Sequence, residues 1–120
     1  MEVFITILKI VVALSLFNVW LLQYKKPTQW RGGNATNIFQ EFEVYGLSET
    51  FCYTIGVLKV GLGLALLASI WFPSLELIAS LGLALLLTGS IFMHLKVKDD
   101  LKKSFPAALF LVLCLVIAFF

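Results

Sequence analysis

The sequence is poor in charge: Asp, Glu, Lys and Arg make up 13% of its 120 residues, and 9 basic against 7 acidic side chains leave a net charge of +2. So small an excess, with no basic stripe interleaved with aromatics, excludes nucleic acid as a partner. Histidine occurs once and cysteine twice, which offers no His/Cys cluster with metal-ligand spacing. Cys52 and Cys114 form no CxxC pair; one falls at the start of the second apolar run and the other deep in the fourth, so they read as small apolar fillers rather than a disulfide. No Ser-His-Asp arrangement and no phosphate-binding loop is visible. Nothing in the sequence is a positive sign of catalysis.

Apolar residues dominate instead: 61% of the chain is hydrophobic, and the mean hydropathy is +1.01. Soluble domains are about half apolar, and a domain of this size buries only about 60 to 70% of its surface. A lipid bilayer must therefore cover the remainder. Four runs reach the roughly 20 residues that match a hydrocarbon core of about 30 Å, near Val3–Leu22, Glu49–Phe72, Ser74–Leu95 and Ser104–Phe120. The expected fold is all-α, a four-transmembrane-helix bundle forming one domain over residues 1–120. The first run lacks a basic start and a small-residue cleavage site, and Asn18-Val19-Trp20 stands where cleavage would fall, so it reads as a retained anchor helix.

The connection from Gln23 to Ser48 is the one sizeable segment outside the membrane. It carries Tyr24, Lys25, Lys26, Trp30 and Arg31, which suit the headgroup layer. Within it, residues 37–45 read as a short amphipathic helix with Asn37 as N-cap, Gln40 in the capping-box position and Gly46 as the stop. Ile38, Phe42 and Tyr45 share a face, and Glu41 and Glu43 point mostly away. This helix should lie on the membrane surface or lid the bundle. Pro73 and Ser74, the latter an N-cap, make the second connection a tight turn. Pro106 in the first turn opens the last helix.

Lys25, Lys26, Arg31, Lys96, Lys98, Lys102 and Lys103 fall in the first and third connections and none in the second. Counting basic residues predicts a multi-pass protein of the cell (inner) membrane, with those two connections cytoplasmic and both termini outside.

Lys59 is the most informative residue. It lies about 13 Å along its helix at 1.5 Å per residue, where an ionised amine costs at least about 2.5 kcal/mol unless paired, snorkelled or hydrated. Lys9, nearer an end, is expected to snorkel. Gly56, Lys59 and Gly63 share one helix face and Gly61, Ala65 and Ser69 a second, so this helix is expected to have neighbours on both sides. His94 and Asn18 reach the same membrane side as Lys59. With Glu41, Glu43 and Glu49 as counter-ions above, Asn18, Lys59 and His94 define a candidate polar pocket beneath the first connection.

Gly56-x-x-Lys59-x-Gly61-x-Gly63, Met93-His94 closing the third run and Pro106-Ala107 opening the fourth together resemble the DoxX-like family of four-helix membrane proteins, over roughly residues 10 to 116. Trp30-Arg31-Gly32-Gly33-Asn34 with Tyr45-Gly46-Leu47 looks like a bacterial branch of it. The resemblance implies a link to a thiosulfate:quinone oxidoreductase subunit and membrane oxidoreductase complexes, or to receptor-assembly chaperones among eukaryotic proteins. Relatives often carry Glu where this chain has Lys59, so a role resting on that acid does not transfer.

These observations support two readings. One is a non-catalytic subunit or assembly factor of a membrane complex, with a membrane-protein partner or a second copy of itself. The other is a quinone- or lipid-binding component of a membrane oxidoreductase system. A small multidrug-type transporter is rejected, because it needs a carboxylate midway along the first helix, where this chain has only Glu2 at the tip.

Overall fold

The computed structural model describes residues 2–25, 31, 33, 35–99 and 101–120. Lys26, Pro27, Gln29, Trp30, Gly32, Asn34 and Asp100 lie outside them. Among the described residues the chain is all-α: α1 (Glu2–Phe17), α2 (Ile38–Val44), α3 (Glu49–Ala68), α4 (Glu76–Lys96) and α5 (Phe105–Phe119). Four spans, Glu2–Leu22, Glu49–Ala68, Pro73–Lys96 and Leu101–Phe119, are long and apolar enough to cross a membrane. The molecule is 40 Å long, close to the about 40–45 Å of a bilayer with its headgroups. Within the apolar stretch of each span, only 33% of residues in the first and 17% in the last are buried by protein. Lipid is the natural cover for the rest. α1 packs beside α3 and α5, and α4 beside α3 and α5, closing a four-helix ring.

Capping explains the short helix. Asn37 accepts a hydrogen bond from the Gln40 backbone N–H at 2.9 Å, satisfying one of the donors a helix start leaves open. Gln40 reaches back one residue further than a capping box requires, accepting from the Thr36 N–H at 2.9 Å. Gly46 ends the helix with φ +80°, a left-handed conformation that glycine adopts without steric cost. Ser48 then caps α3, accepting from Phe51 N–H at 3.1 Å.

The helix ends differ from the sequence reading in three places. α3 stops at Ala68 rather than Phe72, because Pro73 disfavours the helical region for the residue before it. The chain tightens into i→i+3 turns at Ile70 and Trp71, and Phe72 takes φ −122°, ψ 80°. Ser74 caps nothing; it lies in the single 3-10 turn Pro73–Leu75 that leads into α4. At the other end, α1 runs on as a wide π-turn over Asn18–Leu22, the local unwinding that often accompanies functional sites.

The two halves of the bundle differ in density. Val12, Ala13, Leu66, Ala79, Leu83, Cys114 and Ile117 are at most 1% exposed, and all lie toward the Pro73 end. Lys9 is part of this packed half. Rather than snorkelling, it is 5% exposed and pairs with Glu76 at 2.9 Å, from the first turn of α4. At the lid end, Ile38, Phe42 and Cys52 form a separate cluster with Trp20 and Tyr24. The Trp20 ring lies against Gly56, where a Cβ would come within 2.7 Å of it. Gly63 faces Phe17 in the same way, at 3.1 Å, but Gly61 meets nothing within 4 Å. The second small-residue face is therefore packed only in part: Ser69 is buried and Gly61 is open.

Candidate functional site

Between the lid and the packed half lies a cavity of about 700 Å³. The π-turn, α2, α3, α4 and the start of α5 all contribute to its wall. Its lower wall is apolar, with Leu16, Ile55, Leu86 and Phe110, and its upper wall carries Lys59, Ser90, Glu41, Arg31, Tyr45 and His94. Leu85, 73% exposed, also lines it, so the cavity opens sideways where lipid would stand.

Of the expected pocket residues, Asn18, Lys59, His94 and Glu41 line this one cavity. Glu43 and Glu49 do not; both are exposed. Glu41 does not point away as its helix face implied. Its side chain is 12% exposed and its Oε1 lies 3.8 Å from the Arg31 guanidinium, which also donates to the Gln23 carbonyl at 2.8 Å.

Lys59 occupies the inner face of α3. Its ammonium donates to Ser90 Oγ on α4 at 3.2 Å and stands 5.6 Å from the centre of the Trp20 ring. The ring is itself fixed between Gly56 and Phe42, whose edge it meets at 6.0 Å. Cation–π contact of this kind favours a desolvated cation.

His94 belongs to a chain of polar groups that the sequence reading did not assemble. Its Nδ1 lies 2.8 Å from Asp99 Oδ2, and Tyr45 Oη stands 3.4 Å from Nε2. Asp99 can reach back because Lys98 takes φ 58°, turning the chain so that the Asp99 N–H donates to the His94 carbonyl at 3.0 Å. Burial pushes the Asp99 carboxyl up, but hydrogen bonds from His94 and the Gly33 N–H and the charge of Lys103 outweigh it and hold its pKa below the ordinary value. An ionised Asp99 can only accept, so Nδ1 carries a hydrogen and donates to it. Burial, with the Glu41 and Asp99 charges, pushes the Tyr45 phenol up. Tyr45 is therefore a neutral donor.

The same contacts tie the lid down. Asp99 Oδ1 accepts from the Gly33 N–H at 3.0 Å, Lys103 donates to the Gly33 carbonyl, and Lys96 donates to the Tyr45 carbonyl at 3.1 Å. The third connection thus grips the first at both ends of α2. Among the described residues no group of three His, Cys, Asp or Glu side chains is arranged to hold a metal ion.

Comparison with known proteins agrees with this architecture. The pattern of the DoxX-like family matches residues 30–117, which takes in the lid, α3, α4 and most of α5. No curated protein and no solved structure matches the chain.

Proposed function

The chain belongs to the DoxX-like family, and on that premise we propose that this multi-pass membrane protein holds an amphiphilic molecule, a quinone or a lipid, in the cavity beneath its lid. The observation that carries the reading is the gradient along the cavity wall. An apolar floor of Leu16, Ile55, Leu86 and Phe110 gives way to Lys59, Ser90, Tyr45 and His94 under α2. A ligand with a greasy tail and a polar head matches both, and about 700 Å³ falls within the roughly 300–1,000 Å³ of ordinary ligand pockets. The polar end offers the Lys59 ammonium, which has three donors and gives one to Ser90.

Gly89 supplies the test. It lines the cavity, and a Cβ there would meet no atom within 4 Å, so Gly89→Phe fills the space without disturbing the helices. Mass spectrometry of protein purified from native membranes in mild detergent should find a co-purifying amphiphile near one per chain, reduced about tenfold or more in Gly89→Phe. An empty wild-type protein, or equal retention by the variant, would remove the reading.

A second reading, a non-catalytic subunit of a larger membrane complex, draws on an apolar groove of about 690 Å³ on the outer side of α3, lined by Trp20, Phe39, Gly56, Val60, Gly61 and Leu64. Small residues at a lipid-facing surface let another helix approach closely. A stoichiometric protein partner recovered from native membranes, and lost when Gly61 is replaced by Leu, is its expected signature; recovery of the bare chain counts against it.

A further inference from the structure

Among the described residues two lysines are deeply buried, and they are treated differently. Lys9, in the packed half, has the Glu76 carboxylate at 2.9 Å. Lys59, at the cavity wall and 8% exposed, has a hydroxyl and an aromatic face but no carboxylate at ion-pair distance among the described residues. The other cations of the wall are matched: Arg31 faces Glu41 at 3.8 Å, and Lys103 faces Asp99 at 3.7 Å.

We propose that the molecule bound in the cavity carries an anionic headgroup, a carboxylate or a phosphate, and that Lys59 is its counter-ion. The proposal rests on the cavity reading above and sharpens it. Removing a cation from water without a counter-ion is costly, and Ser90 and Trp20 offset that cost only in part. An ammonium has three donors; Ser90 takes one, and that hydroxyl is anchored in turn by donating to the Leu86 carbonyl at 3.3 Å. A neutral quinone would leave the Lys59 charge with only the Glu41 carboxylate of the same cavity wall, which is already paired with Arg31. An anion joined to an apolar chain compensates it and fills the floor below.

The experiment uses the full chain in phosphatidylcholine nanodiscs at about pH 7, above the ordinary carboxylate range. Oleate, oleoyl lysophosphatidate and uncharged oleyl alcohol are titrated separately, and bound ligand is read by native mass spectrometry. At least one anion should bind about tenfold or more tightly than the alcohol, Lys59→Met should abolish that preference, and Lys59→Arg should keep it. Tighter binding of oleate identifies a free fatty acid as the source chemistry, and tighter binding of lysophosphatidate a phospholipid-type head. Equal binding of the alcohol and both anions, or an undiminished preference in Lys59→Met, overturns the proposal. If the alcohol binds as well as the anions and Gly89→Phe excludes all three, the cavity reading survives and the anionic head falls. If none of the three binds, both fall.

Discussion

Asp99→Ala is expected to destabilise the protein by about 3 kcal/mol, the loss typical of breaking a buried, hydrogen-bonded charge cluster. The substitution removes the acceptor for His94 Nδ1 and for the Gly33 N–H, and the charge beside Lys103. Because those contacts join the first and third connections, the loss should be local before it is global. Backbone amides of residues 38–46 should exchange with deuterium faster in the variant, while those of Leu83 and Leu87 in the packed half change little. The pH dependence is fixed in sign. Asp99 has a depressed pKa in the folded protein, so its contribution is fully present above its unfolded value of about 3.9 and is lost as pH falls through the lower folded value. The thermal-stability gap between wild type and Asp99→Ala should therefore be constant from about pH 5 to 8 and narrow below about pH 4. A gap of the same size in acid as at neutral pH, or a lid whose exchange is unchanged, would show that Asp99 is not the latch.

The second large effect concerns Lys9 and Glu76. Glu76→Leu strands Lys9 in the packed half, surrounded by residues such as Val12 and Ala13 that are fully buried, and should cost about 2.5 kcal/mol. The estimate sits at the low end because the Glu76 side chain is 34% exposed, and solvent already screens the pair. Lys9→Met combined with Glu76→Leu should recover most of that loss, since replacing both members of a buried pair by apolar groups is often neutral. Unfolding of the two single variants and the double variant measures the coupling. Additive losses would mean that the two side chains act independently.

Much of the architecture was legible from the chain alone. Four spans follow from apolar runs whose lengths match the bilayer, and α2 follows from Asn37, Gly46 and the spacing of Ile38, Phe42 and Tyr45. Lys59, His94 and Asn18 fall toward one end of the bundle because helix direction alternates from span to span, and all three line one cavity. The remainder depends on contacts that no local pattern encodes. Lys9 meets Glu76, 67 positions further along the chain, and neither residue announces the other. Asp99 looks like a loop acid until Lys98, an unusual non-glycine residue at positive φ, folds it back onto His94. Glu41 is displaced from its expected outward direction by Arg31, whose position depends on the long connection rather than on helix periodicity. The open side of Gly61 could not be told from the packed side of Gly63, since composition records small residues and not their neighbours.

The dense half of the bundle sets a limit on traffic. Because Val12, Leu66, Leu83 and Ile117 close the Pro73 end completely, the cavity is a blind vessel that reaches only part of the way through the membrane. A ligand of the kind proposed would then enter and leave it from one leaflet. Any passage of a ligand to the opposite leaflet would require the core itself to come apart, so the natural exchange is between one leaflet and whatever waits at the lid.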